Sequence, residues 1–273
     1  MKILQRKAPG EDKEKIEKKL REIKYKIMVV SGKGGVGKSF VTANLAMAAA
    51  LKGYTTGVLD ADIHGPTIPK MLGVKGKKPE VSEQGLLPIE GPLKVKVIST
   101  DFLIPNDESP IIWRGPLKHA AIKQFVTDVL WGKLDMLFID LPPGTGDESL
   151  STAQIIKPDY AVIVTIPSEV SKQTVKKVIT FSRILKVPIL GVIENMSYFQ
   201  CPKCGEKYYI FGSKGGETMA KEMNVPFLGG IPIEVGINEA CDKGEPYVLN
   251  HKDTIVTKVF LKIIEKITSK IET

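Results

Sequence analysis

Cysteine is scarce in this chain: Cys201, Cys204 and Cys241 are the three among 273 residues. An odd, sparse set of this kind excludes the disulfide framework of small secreted domains. Aromatic residues are few, at 7%, and the three histidines, His64, His119 and His251, stand apart without metal-ligand spacing. No apolar run approaches the roughly 20 residues that cross a bilayer, and the first residues lack the apolar segment of a secretory signal. These absences predict a cytoplasmic protein with reduced thiols. What is present is ordinary globular material, 42% hydrophobic and 26% charged. Its length suffices for one large domain whose core needs no disulfide.

The net charge is +8, and a basic field attracts polyanions. The lysines are nevertheless spread along the chain, with local density only in 11–26 and 252–270. That dispersal argues against a nucleic-acid partner. Residues 11–25 (EDKEKIEKKLREIKY) place Ile16, Leu20 and Ile23 at helical spacing within a charged stretch. Residues 1–25 therefore predict a loose arm and a solvated helix, and 26–273 one domain carrying everything else.

Within that domain, short apolar runs alternate with helical stretches. Strands are expected in 27–32, 56–62, 93–100, 136–143, 161–167, 189–197 and 227–232, with helices in 39–53, 116–131, 169–185 and 214–223. Continuous Val/Ile/Leu runs mean strands buried on both faces of a parallel sheet. The expected fold is α/β: a mostly parallel central sheet of about seven strands with helices on both faces. Residues 76–92 and 101–116, rich in Pro and Gly, read as ordered loops or a small hairpin. The last stretch, 253–272, is amphipathic, with lysines at 258, 262, 266 and 270. Such a helix either caps the sheet or lies on a membrane, and capping accounts for the pattern without a membrane partner.

The segment GKGGVGKS (32–39) follows a strand and opens a helix, the context a phosphate-binding loop requires. Gly32, Gly34, Gly35 and Gly37, with Val36 between them, let backbone N–H groups turn inward around phosphates. Lys38 reaches the β- and γ-phosphates and the Ser39 hydroxyl ligates Mg²⁺, so ATP and Mg²⁺ are the expected cofactors. Lys33 is a second lysine with no evident purpose inside one subunit. Asp60 and Asp62 end one expected strand (LDADIHGPT) and Asp140 ends another (MLFIDLPPGTGD). Strand C-termini are where ligands bind in such sheets, and an apolar run closing on Asp suits a carboxylate that holds Mg²⁺ directly or through water. Asn195 closes a further run, IENMS.

CPKCG (201–205) sets two thiols across a tight turn flanked by Tyr198, Phe199, Tyr208 and Tyr209. A redox dithiol would open a helix after a strand; this pair sits in a loop, which favours a metal knuckle. Zinc or an iron–sulfur cluster typically takes four protein thiolates, and this motif supplies two. Cys241 is distant, in EACDKGEP, and reads as a small helical residue. Two copies of the chain across a twofold axis would complete the set.

The two-lysine loop resembles the deviant Walker A ATPases, among them MinD, ParA, the arsenite ATPase and the nitrogenase iron protein. That resemblance implies that Lys33 crosses a homodimer interface to the partner's nucleotide. It further implies that Lys33, Lys38 and Asp62 serve hydrolysis, that Asp60 is structural or outer-shell, and that Asn195 contacts adenine. With CPKCG, DADIHGPTIPKMLG, WRGP (113–116), DLPPGTGD and NMSYFQCPKCGEKYYIFG added, the chain from about residue 24 resembles the Mrp/ApbC/Nbp type of iron–sulfur cluster carrier ATPase. This implies a slowly hydrolysing ATPase whose homodimer holds a labile [4Fe–4S] cluster between subunits and passes it to apo iron–sulfur proteins. Zinc in its place remains open. So does a MinD- or ParA-like positioning function on membrane or DNA, which would have no use for CPKCG.

Overall fold

The computed structural model describes residues 20–63, 65–103 and 115–272. Its strands, in chain order, are β1 (Ile23–Ser31), β2 (Thr56–Asp60), β3 (Val81–Ser82), β4 (Gly85–Leu86), β5 (Ile89–Glu90), β6 (Lys96–Ser99), β7 (Leu134–Asp140), β8 (Tyr160–Thr165), β9 (Ile189–Glu194), β10 (Phe199–Gln200), β11 (Lys207–Tyr208) and β12 (Phe227–Gly230). Eight of them form one sheet in the order β12-β9-β8-β1-β7-β2-β6-β5. Every neighbouring pair is parallel except β5 with β6. The seven parallel strands are those expected from the apolar runs. The eighth, β5, has two residues, too few to leave any periodic signal. The short β3–β4 hairpin accounts for the Pro/Gly-rich stretch before it.

The helices are α1 (Lys38–Leu51), α2 (Ile68–Met71), α3 (Gly115–Thr127), α4 (Asp147–Ile156), α5 (Glu169–Ile184), α6 (Gly215–Glu222), α7 (Ile237–Lys243), α8 (Tyr247–Asn250) and α9 (Ile255–Ile271). Alternation along β1 explains why both faces are covered. Ile27 and Val29 join Val41, Leu45, Phe260 and Ile263 on the side of α1 and α9. Met28 and Val30 join Ile122, Phe125, Val178 and Ile179 on the side of α3 and α5. Strand residues point alternately to opposite faces, so one apolar run feeds two cores.

α9 buries Val256, Phe260, Ile263, Ile264 and Ile267, packing on α1 and β12. Its apolar face is therefore used up in capping the sheet, and Lys258, Lys262, Lys266 and Lys270 stay on the exposed side. Among the described residues no helix is long and apolar enough to cross a membrane. One boundary differs from expectation. Ile23–Tyr25 belong to β1 and not to a charged helix, because Leu20 and Ile23 are buried in the core beside α3 and α5. Residues 1–19, His64 and residues 104–114 of the expected loop 101–116, Trp113 and Arg114 among them, lie outside the described residues.

From β1 the chain moves to β2 and β6 on one side, returns through β7, and then builds β8, β9 and β12 on the other. Ligands in such sheets bind beyond the strand C-termini where this reversal occurs. Register brings those ends level: Asp60 lies beside Asp140, and Thr165 beside Glu194.

Candidate nucleotide and metal sites

β1 ends at Ser31, and residues 32–37 turn the chain into α1. Gly35 and Gly37 sit at φ +78° and +77°, a left-handed conformation that glycine adopts without strain. Gly32 is required for a different reason. A Cβ there would lie 2.4 Å from Thr174 Cβ, so the loop is pressed against α5. No side chain caps the start of α1, which leaves the N–H groups of its first turn and the positive end of its dipole facing outward, an arrangement suited to phosphate.

Lys38, Ser39, Asp62 and Asp140 meet in one network. Asp140 is fully buried and accepts from Lys38 Nζ at 2.7 Å, Ser39 Oγ at 2.6 Å and Thr42 Oγ1 at 2.6 Å. Asp62 Oδ2 lies 3.9 Å from Lys38 Nζ. Ser39 Oγ and these two carboxylates form a set of hard oxygen donors, the class that Mg²⁺ takes. Thr42 was not expected from the sequence. It sits four residues after Lys38 and three after Ser39, and on a helix that spacing shares a face, so the signal was there to be read.

Asp60 stands beneath this network with a different task. It accepts from Ser99 Oγ at 3.0 Å and from the backbone N–H groups of Asp62 and Ile68 at 3.2 and 3.3 Å. It thereby pins the loop that carries Asp62. Burial first, and then the charge of Asp140, push its carboxyl well above the usual range, with Lys38 pulling the other way.

Lys33 is half-buried at the rim of the loop, and among the described residues its ammonium has no ion-pair or hydrogen-bond partner. The backbone near it is fixed, because Ser31 Oγ donates to the Lys33 carbonyl at 3.0 Å. Asn195, at the end of β9, donates from Nδ2 to the Val36 carbonyl at 2.9 Å. Its amide nitrogen packs against the phosphate loop, 2.2 Å from where a Cβ on Gly37 would be.

Cys201 and Cys204 stand apart from this network, on the turn between β10 and β11. The turn is closed by Cys201 N–H to the Glu206 carbonyl and Gly205 N–H to the Cys201 carbonyl, each 2.9 Å. The backbone N–H groups of Cys204 and Lys203, and then the Cys204 thiol, donate toward Cys201 and hold its thiol below the ordinary value. Such donation favours the thiolate, the form that binds metal. Among the described residues no three His, Cys, Asp or Glu side chains gather into a metal site, and Cys201 and Cys204 stand as a pair. Cys241 lies on α7, partly buried, and burial pushes its thiol up, in keeping with a packing role.

The ground around the pair is apolar. Tyr208, Tyr209, Ile210 and Phe211 are all exposed, Val235 is 81% exposed, and a cavity of about 390 Å³ opens beside Cys201 between Phe199, Pro202, Ile233 and Ile255.

The parallel sheet, the glycine loop with its two lysines and the carboxylates at the strand ends define a P-loop nucleotide-binding protein. Residues 22–268 match the family model of the ParA/NUBPL iron-transfer P-loop NTPases, and the chain belongs to that family. An iron–sulfur cluster carrier protein of Saccharolobus solfataricus is 54% identical over 94% of this chain and 88% of its own. A nucleotide-binding protein from Archaeoglobus fulgidus, solved in complex with ADP and with Co found by PIXE, superposes with TM-score 0.79 at 40% identity, covering 90% of this chain and 96% of that one. The cell-division ATPase MinD of Pyrococcus furiosus superposes with TM-score 0.68 at 24% identity, over 90% and 99% of the two chains, a likeness of fold.

Proposed function

We propose that this protein is an ATP-binding, slowly hydrolysing carrier that assembles a labile [4Fe–4S] cluster at a homodimer interface and passes it to apo iron–sulfur proteins in the cytoplasm. The observation that carries the reading is the CPKCG turn. It offers two thiols, one already biased toward thiolate, on an apolar surface of a P-loop protein, with no third ligand among the described residues. A twofold copy completes the four thiolates such a cluster takes. Zinc fits the same four sulfurs, and the cluster is preferred because relatives at 52–54% identity are iron–sulfur cluster carrier proteins.

In the nucleotide site, residues Gly32 to Ser39 wrap the phosphates and Lys38 neutralises the β- and γ-oxygens. Asn195 faces the adenine, and Lys33 reaches the partner's nucleotide. Ser39 would hold Mg²⁺, with Asp62 and Asp140 binding it directly or through water, and the ion would offset the negative charge of the phosphates. Asp62 orients the attacking water, from a loop that Asp60 keeps in place. Phosphoryl transfer asks for little more than positioning and charge stabilisation, so one carboxylate at that place suffices. Nucleic acid and membrane are not partners in this reading. The buried apolar face of α9 leaves no amphipathic surface for lipid, which weighs against a MinD-like positioning role.

The test is anaerobic reconstitution with iron and sulfide. The wild-type chain should take up one [4Fe–4S] cluster per dimer, with iron and sulfide in equal amounts. The Cys201→Ala, Cys204→Ala variant should take up none while still binding ATP. Stoichiometric cluster in that variant would end the reading.

A further inference from the structure

The nucleotide and cysteine sites are joined by a short piece of backbone whose two ends are held in ways that the separate functions do not require. Asn195 lies on the phosphate loop and Cys201 is six residues further on, a span of at most about 20 Å even when fully extended. Between them the chain is clamped at nearly every step. Asn195 N–H donates to the Thr165 carbonyl at 2.7 Å. Met196 takes φ +54°, which swings the chain away from β9. Ser197 N–H then donates to the Ile231 carbonyl at 2.8 Å, and the Tyr198 carbonyl accepts from Ile233 N–H at 2.7 Å. Phe199 pairs with Tyr208 across the hairpin and bridges to Ile233.

The clamp that stands out is the buried carboxylate of Glu194. Its Oε1 accepts from Ser197 Oγ at 2.6 Å, and its Oε2 accepts from the N–H of Gly216 in the first turn of α6. Glu194 and Ser197 are both buried, and the Glu194 carboxylate bonds to Ser197 and Gly216, which belong to neither the phosphate loop nor the cysteine turn. Burying a carboxylate is costly unless it is fully hydrogen-bonded. A segment needing only to cross the surface would not carry one.

We propose that Glu194 and Ser197 are positioning residues that make 195–200 a stiff strap, so that occupation of the nucleotide site resets the Cys201–Cys204 hairpin. The phosphate loop cannot rearrange around phosphate at Val36 and Gly37 without moving the Asn195 amide that packs on it. The clamps leave the strap no slack in which to absorb that movement. This inference rests on the carrier reading for its purpose and names the regulation of that same site, in which nucleotide sets how the sulfur donors are presented.

The experiment is hydrogen exchange of the amides in 199–208, on the full chain, with and without Mg-ADP. It is run at a protein concentration where light scattering gives the same mass in both. In the wild type, ADP should change hairpin protection by at least about threefold. Ser197→Ala should still bind ADP, with affinity within about twofold of wild type, and should lose the change in the hairpin. Glu194→Gln should keep it, because a glutamine side chain can donate to Ser197 Oγ and accept from Gly216 N–H. A merely structural role would lower stability in these variants without uncoupling hairpin from nucleotide. An unchanged hairpin in the wild type, or the same change in Ser197→Ala, would overturn the proposal. Since exchange needs no cluster, failure here is separate from failure of the carrier reading, which the cysteine variant tests by itself.

Discussion

The Lys38–Asp140 pair can be tested as a unit, since without nucleotide each side chain is the other's main counter-charge. Lys38 is 6% exposed and Asp140 fully buried, and removing one partner of such a pair typically costs about 3–5 kcal/mol. Asp140→Asn leaves an amide at the same place, with Asp62 still 3.9 Å from the ammonium, so its cost belongs near the lower figure. Lys38→Met leaves Asp140 and Asp60 as neighbouring buried carboxylates without their cation, and its cost belongs near the upper one. For a domain of this size these correspond to falls in Tm of about 6–20 °C. The double variant has neither stranded charge and should recover about 1–3 kcal/mol relative to the sum of the single changes. The Lys38→Met deficit should also depend on pH. The carboxyl of Asp60 already titrates above its ordinary value of 3.8. A raised acid contributes its full stability below the unfolded value and loses it as pH rises through the folded one. Without Lys38 that loss deepens, so the deficit should be larger at about pH 7.5 than at about pH 5. The assay is denaturant unfolding of nucleotide-free protein at both pH values. Single costs that add within about 0.5 kcal/mol would refute the pairing.

Three further outcomes are expected. Gly37→Ala places a side chain at φ +77° and into the Asn195 amide; the left-handed conformation alone costs about 1–2 kcal/mol, and ADP affinity should fall at least about tenfold by titration. Unchanged affinity would remove Asn195 from the nucleotide site. Asp62→Ala should slow ATP hydrolysis by about a hundredfold or more while leaving ATP binding nearly intact, and equal turnover would reject its role. In reduced, metal-free protein, Cys201, whose thiol is held low by N–H and S–H donors, should alkylate faster at about pH 7.5 than Cys241, whose thiol burial raises. Peptide mapping by mass spectrometry reads this directly, and equal rates would contradict the electrostatics of the turn.

Much of this protein was legible before any coordinates. The seven parallel strands follow from apolar runs buried on both faces, and that signal is strong because the central residues of β1, β2, β7 and β8 are buried almost without a break. The glycine spacing of 32–37 and the acids closing two strands announce phosphate and metal chemistry, because those backbone and charge requirements are local. The two thiols of CPKCG are equally local, a close pair in a loop that the sequence shows by itself. Tertiary structure decided the rest, where partners lie far apart in sequence. Only folding brings Thr42 and Asp140 together across 98 positions, sets Gly32 against Thr174, and makes Ile23–Tyr25 a strand by giving Leu20 and Ile23 a core to enter. It also buries the apolar face of α9, for which the sequence favoured capping the sheet without naming the elements it packs on. The Glu194 clamp between nucleotide loop and cysteine hairpin has no local signature, because a carboxylate's role depends on which donors the fold delivers to it.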